Sequence, residues 1–167
     1  MKNIVFILII LFGAISTLKA DVKKWKLEQV GFLNIDRNEK DYGGFSGLLI
    51  KNAGTEALVV TDKSFFFVLQ LRRDDNDFLT GYSVIKKGRI LSSKGEHLNG
   101  RNTDSESIAM DANNNYYISF ESNHRIMMHT EVEGKGIFVP KHPMFRKLSV
   151  NKGCLLYTSP SPRDLLK

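Results

Sequence analysis

Residues 104–125 read DSESIAMDANNNYYISFESNHR, and this stretch decides the fold of the chain. Residues 107–110 form a short apolar run and residues 116–120 are aromatic and β-branched, so both segments are predicted to be strands. Between them, the asparagines at 113–115 tolerate left-handed backbone and predict a tight turn. The stretch therefore predicts an antiparallel hairpin.

Two acids flank this hairpin. Glu106 stands just before the first predicted strand, and Glu121 stands just after the second. In an antiparallel pair the start of one strand lies beside the end of the other. Both carboxylates are therefore expected at the same end of the sheet, where together they can form a site.

Residues 46–62, SGLLIKNAGTEALVVTD, repeat this layout. The corresponding segments are 48–50 with 108–110, the turn at 52–54 with 113–115, and 58–60 with 118–120. The offset is 106 − 46 = 60 residues at the first strand and 121 − 62 = 59 at the trailing acid, so Asp62 falls where Glu121 falls. Strand-rich units of this period, unable to bury their faces alone, are typical of propeller blades or solenoid repeats.

The remaining predicted elements are also strands. They are residues 25–35, residues 65–71 as a strand buried on both faces, residues 78–85, residues 89–91, residues 124–130, and the extended segment 137–150. No stretch has the periodicity of a long amphipathic helix. The predicted fold class is all-β.

The two ends of the chain have distinct compositions. Lys2, the apolar run 4–12 and small residues up to Ala20 predict a signal peptide over 1–20, and the run falls short of the ~20 residues that an uncleaved anchor would need. Export to the periplasm or the medium is expected, with no membrane span after cleavage. Residues 154–164, CLLYTSPSPRD, match the translation of a sequencing-library adapter. We therefore expect 154–167 to be foreign, a natural Pro-rich tail being the alternative.

Charge and cysteine content restrict the class of protein further. The single cysteine, Cys154, lies in the suspect tail, so residues 21–153 contain no thiol for a disulfide and need a core or a metal for stability. Of the net charge of +6, residues 1–20 contribute +2 and residues 154–167 contribute +1, which leaves 6 − 2 − 1 = +3 for the rest. Such a mild excess argues against nucleic-acid binding.

Several other motifs fail on spacing. The acids within 74–77 lack the offsets of an EF-hand and indicate a solvated turn. Ser46 lacks the second glycine of a nucleophile elbow, because Leu48 stands there. The histidines at 97, 129 and 142 show no zinc-binding spacing.

Four short motifs together point to a known family. They are GFSGL at 44–48, VTD at 60–62, DSESIA at 104–109 and SFESNHRI at 119–126. On these residues the chain resembles the phytase-like family, "esterase-like activity of phytase", over 42–153, after an N-terminal strand and loop at 21–41. The resemblance implies an exported β-propeller, present as a partial ring of about two blades out of six and cut short near residue 153. Such a fragment is expected to be inactive alone.

The resemblance also implies a site. Neighbouring β-propeller phytases hold calcium in acidic rings at the channel mouth, which implies Asp62, Glu106 and Glu121 as metal ligands and calcium as the cofactor. The candidate catalytic residues are Glu106, Glu121, His124 and Arg125. The alternative is that these acids satisfy backbone N–H groups or pair with Arg125, and that His124 and Arg125 are structural.

Two functions follow from that site. The first is hydrolysis of a phosphorylated or ester small molecule by metal-activated water, in a protein that is a monomer when complete. The second, from a different class, is a non-catalytic propeller of the cell envelope that binds a ligand or a protein partner at the same channel mouth. The family resemblance alone does not decide between them, because one propeller scaffold hosts many functions.

Overall fold

The computed structural model describes residues 31–35, 43–141, 143, 147 and 148. The strands of the first sheet are β1 (Phe45–Lys51), β2 (Glu56–Thr61), β3 (Phe65–Arg73) and β4 (Leu79–Arg89). Those of the second are β5 (Ser105–Met110), β6 (Tyr116–Phe120), β7 (Arg125–His129) and β8 (Ile137–Phe138). Each sheet is an antiparallel meander in which strands pair in chain order, and neither sheet is closed.

The all-β prediction is confirmed for these residues. The two complete helical segments that lie within the described ranges are single turns of 3₁₀ helix, at Asn52–Gly54 and Gly100–Asn102. Within the described part of the chain, no helix has the length and apolarity to cross a bilayer. The predicted signal peptide and the adapter-like tail lie outside the described residues.

Both predicted hairpins form, with differences in detail. Glu106, expected just before the strand, lies inside β5. The predicted strand at 89–91 is wrong, because Arg89 ends β4 and Leu91 makes only an isolated bridge with His97. Residues 31–35 are not in a strand, and among the described residues of 137–150 only β8 is.

Two hairpin turns are closed by aspartates. The Oδ1 atom of Asp111 accepts hydrogen bonds from the backbone N–H groups of Asn113 and Asn115, at 2.8 and 2.9 Å. Hydrogen bonds from Asn115 hold the pKa of Asp111 below its usual value. Asp74 closes the β3–β4 turn in the same way, so the acids at 74–77 serve a turn, as the sequence predicts.

The two sheets pack face to face around one apolar core. Its main side chains are Leu58, Val60 and Phe66 from the first sheet and Ile108, Ile118 and Phe120 from the second. Burial of each stabilises the fold by roughly 1.5–3 kcal/mol. The opposite face of the first sheet forms a second cluster, which includes Val59 and Phe67 and against which Leu33 and Ile35 pack.

The internal repeat is visible as a shared irregularity. The pairing register shifts between Phe45 and Gly47 in β1, and between Ser105 and Ser107 in β5. Each shift is a β-bulge, an extra residue that re-aims a side chain. Ser46 and Glu106 are therefore equivalent positions, at the predicted offset of 60 residues.

The second strands of the repeat show that one predicted correspondence is wrong. Leu48 pairs with Val59, and its equivalent Ile108 pairs with Ile118, so Val59 rather than Leu58 corresponds to Ile118. The reason is that the paired residues are 59 − 48 = 11 positions apart in the first hairpin and 118 − 108 = 10 apart in the second. The offset between equivalent residues is therefore 59 already at Val59 and Ile118, before the trailing acids are reached.

Candidate functional site

Three carboxylates meet at the end of the second sheet where β5 begins and β6 ends. The N–H of Glu121 donates to the carbonyl of Asp104 at 2.8 Å, which extends the β5–β6 pairing beyond the strands. The bulge at Glu106 lies beside this bond. One carboxylate oxygen from each of Asp104, Glu106 and Glu121 lies within 4.8 Å of the others.

Glu106 bears the electrostatic consequence of this crowding. Its partial burial, followed by the negative charges of Glu121 and Asp104, raises its pKa to about 7. A hydrogen bond with Asp104 and the charge of Asp62 act in the same direction. In the metal-free cluster Glu106 therefore keeps its proton to a higher pH than an isolated glutamate does.

The other two acids are held by the β6–β7 turn. Ser122 donates from its hydroxyl to Oδ2 of Asp104 at 2.6 Å and has a positive φ of 52°. Glu121 is only 8% exposed, and its carbonyl accepts the N–H of Asn123. The turn thus orients Asp104 directly and fixes the backbone that carries Glu121.

Asp62, a predicted metal ligand, stands outside the three-carboxylate cluster. It is the first-sheet equivalent of Glu121, and its N–H donates to the carbonyl of Gly44 at 2.8 Å. Its Oδ1 atom is buried and has no hydrogen-bond partner among the residues that the structure describes. Asp62 contributes to the cluster through its charge, which helps to raise the pKa of Glu106.

Gly44 leaves the space that the Asp62 carboxylate fills. A Cβ atom at position 44 would lie 2.0 Å from Oδ1 of Asp62, and the residue has a φ of +62°. Both the contact and the backbone conformation disfavour a side chain there. Position 44 corresponds to Asp104 in the second sheet, so the first sheet cannot form the same cluster.

Arg125 is the first residue of β7 and lies inside the fold, at 6% exposure. Its guanidinium donates to the carbonyls of Asn123 and Asn102, at 3.1 and 2.5 Å, and lies 3.8 Å from the centre of the Phe120 ring. These bonds join the turn that follows Glu121 to the loop that precedes Asp104. His124, half-buried, occupies the turn just before Arg125. The catalytic role of both stays a prediction.

The sequence prediction missed Asp104 as a member of the cluster. The motif Asp104-Ser-Glu106 places two acids two residues apart, the spacing of one strand face. That spacing was the available signal. It was masked by the assumption that the strand begins only at Ser107.

The fold and this acidic end define an all-β repeat protein with a candidate cation site at one end of a sheet. Residues 40–153 match the phytase-like family, described as esterase-like activity of phytase. Because that match covers more than half of the chain, the protein belongs to this family, as the motifs predicted. No curated protein and no solved structure matches the chain.

Proposed function

We propose that the chain binds calcium through Asp104, Glu106 and Glu121, and that this site serves the hydrolysis of a phosphoester or ester. The observation that carries the proposal is the convergence of these three carboxylates within 4.8 Å. Their membership of a phytase-like domain supports the class of reaction.

The donor set fits a hard divalent cation. Calcium prefers oxygen ligands and takes carboxylates readily. Burial and the negative charges of Glu121 and Asp104 raise the pKa of Glu106, and a bound cation would offset the repulsion among these carboxylates. Calcium held there would supply a Lewis acid for a phosphoryl or carbonyl oxygen and for an attacking water.

The residues of the chain itself set the geometry of this site. Ser122 orients Asp104. The backbone hydrogen bond between Glu121 and Asp104 fixes the distance between these two ligand residues. Glu106 would release its proton when a cation binds. We assign Asp62 the role of an outer negative charge. His124 and Arg125 remain candidate substrate contacts in this proposal, and Arg125 also braces the two loops.

We propose further that the two sheets are consecutive blades of a β-propeller. Leu48 and Ile108 are equivalent residues, yet Leu48 is 57% exposed and Ile108 is 1% exposed because the first sheet covers it. A further sheet on the open face would bury Leu48 in the same way, as stacking of blades requires. The complete protein would then be a monomeric ring.

Export is part of the proposal. The leader-like residues 1–20 support it. Extracellular calcium sites work with dissociation constants of about 10⁻⁴–10⁻³ M, within reach of a small set of carboxylates.

Calcium titration by calorimetry tests the site directly. The chain should bind calcium, and Glu121→Gln should abolish the signal, because it removes a buried ligand charge. Glu96→Gln is the matched control, since Glu96 is an exposed acid in the connection between the sheets. Absence of calcium binding by the unaltered chain would refute the proposal.

Phosphate release from p-nitrophenyl phosphate tests the chemistry. It should depend on calcium, stop on addition of EDTA, and require a protein that carries the whole ring of blades. Calcium-dependent binding of a phosphorylated ligand without turnover would instead identify a non-catalytic binding protein. That outcome would support the proposed metal site and reject the proposed hydrolase activity.

A further inference from the structure

Three serine hydroxyls connect the two sheets next to the carboxylates. Ser64 donates from Oγ to the carbonyl of Thr103, and Ser46 donates from Oγ to the carbonyl of Ser105 at 2.5 Å. Ser105 donates in turn to the carbonyl of Thr61. The residue between the accepting carbonyls of Thr103 and Ser105 is Asp104, one of the three carboxylates.

Ser64 is a rigid anchor. It is fully buried, its N–H donates to Thr61 at 2.9 Å, and its carbonyl accepts the N–H of Ile90 at 2.8 Å. Its positive φ of 58° places it in the tight β2–β3 turn. All polar groups of Ser64 are therefore hydrogen-bonded. Ser64 thus fixes the position of the Thr103 carbonyl relative to the first sheet.

Ser46 is the anchor on the other side. It occupies the bulge of β1, the position equivalent to Glu106 in the second sheet. Its hydroxyl reaches across to β5 at a point where the strands are close, because a Cβ atom on the adjacent Gly47 would lie 3.0 Å from the backbone of residues 107 and 108. The start of β5 is thus held on both sides of Asp104.

We infer that Ser46 and Ser64 are positioning residues that hold Asp104 and Glu106 in metal-binding geometry from the neighbouring sheet. The inference rests on the proposed calcium site. Two of the three carboxylates project from residues 104 and 106, and a shift of the backbone at 103–105 would move both relative to Glu121. The two hydroxyl groups thereby make the distances among the three carboxylates depend on how the two sheets pack.

The test uses terbium as the probe ion, with its luminescence measured in the full chain. Ser46→Ala and Ser64→Ala should each raise the terbium dissociation constant about tenfold, the lower end of the range for residues that support ligands. Ser46→Thr, which restores a hydroxyl, should recover most of the affinity. Ser107→Ala is the control, because its hydroxyl pairs with Ser119 on the same sheet and has no bond to residues 103–105 among those described.

Urea unfolding of each metal-free variant separates positioning from general destabilisation. A merely structural role predicts equal affinity for all folded variants, including Ser107→Ala, whatever their stability. Equal terbium affinity in the wild type, Ser46→Ala and Ser64→Ala would overturn the inference. If Ser64→Ala does not fold, the terbium affinities of Ser46→Ala and Ser46→Thr test the inference.

Hydrogen exchange gives a readout that needs no metal. The N–H of Glu121 donates to the carbonyl of Asp104, so loosening of 103–105 should accelerate exchange of that amide in the two serine variants and not in Ser107→Ala. If the wild type binds no terbium, the proposed function fails, and this exchange measurement still decides the positioning role. Unchanged exchange in both serine variants would contradict it.

Discussion

The acidic ends of the two sheets have the same backbone and different side chains. In both sheets the first strand, β1 or β5, carries a bulge. The residue that follows the next strand donates its N–H to the carbonyl of the residue that precedes the bulged strand, at 2.8 Å in each sheet. The first sheet has Gly44, Ser46 and Asp62 at the three key positions, and the second has Asp104, Glu106 and Glu121. The comparison shows that the repeated framework presents three positions, and that only the second sheet has a carboxylate at all three.

The largest effect on stability is expected when a side chain is introduced at position 44, where the first sheet has none and the second sheet has Asp104. Gly44→Ala places a Cβ atom against the Asp62 carboxylate at a positive φ, so it combines backbone strain with overpacking. We expect a loss of about 3 kcal/mol in the free energy of unfolding, measured in urea. Gly100→Ala is the matched control, because Gly100 has a φ of +54° and open space around its Cβ position, and should lose only about 1 kcal/mol. Equal losses would show that the Asp62 contact is unimportant.

A second prediction concerns the repulsion within the second sheet. A carboxyl whose pKa rises from 4.5 to about 7 on folding favours the folded state at low pH, and this contribution is lost as pH rises through that interval. Glu106→Gln should therefore stabilise the calcium-free protein at pH 8 by roughly 1 kcal/mol after allowance for solvent screening. The same variant should lose the stabilisation that calcium gives to the wild type. Thermal unfolding with and without calcium measures both, and Glu96→Gln should change neither.

A third prediction concerns a buried histidine of the second sheet. His129 is fully buried, its Nδ1 lies 3.0 Å from the carbonyl of Gly134, and its Nε2 has no partner within the described ranges. Burial lowers its pKa from the usual 6.5, so the unfolded chain binds this proton more readily. Stability should therefore fall as pH drops below about 6.5.

The effect of His129 is best measured in the Glu106→Gln background, because Glu106 titrates in an overlapping range with the opposite sign. His129→Gln should flatten the pH dependence of unfolding there, and the exposed His97→Gln should leave the slope unchanged. An unaltered slope in His129→Gln would show that its protonation is not linked to folding.

The smallest effect is expected at the surface between the sheets. Lys86 of the first sheet pairs with Glu133 in the β7–β8 connection of the second, and the ammonium holds the pKa of Glu133 below its usual value. Both side chains are well exposed, so Lys86→Met should destabilise the protein by about 0.5 kcal/mol or less, and less still in high salt. A loss much larger than that of Lys94→Met, a control at an exposed lysine, would mean that this pair helps to hold the sheets together.

The sequence predicted the all-β class, the two hairpins and the family. Alternating or continuous apolar runs such as FFFVLQL and the asparagine-rich turn are local signals, and these segments form β3 and the β5–β6 turn as expected. The sequence did not predict the start of β5, because Ser105 and Glu106 are polar and lie at a bulge, where alternation breaks.

The candidate site was predictable in part for the same reason. The structure brings Glu106 and Glu121 together, as the pairing rule for antiparallel strands suggested. Asp104 was missed although it lies two residues before Glu106, because the polar start of β5 was not predicted to be part of the strand. The inward position of Arg125 depends on the ring of Phe120 and on the carbonyl of Asn102, which is 23 residues away in sequence, and a contact of that separation leaves no local trace.

The bulge at Glu106 makes the carboxylate cluster depend on the number of residues as well as on their chemistry. Deletion of Ser105 or Ser107 would restore regular pairing, and side chains on one side of the deletion would turn to the opposite surface of the sheet. Every acid could then be kept in the gene while the group they form is dispersed. A frame-preserving loss of one codon at this point would thus be as damaging to metal binding as replacement of a ligand, although the composition of the segment would hardly change.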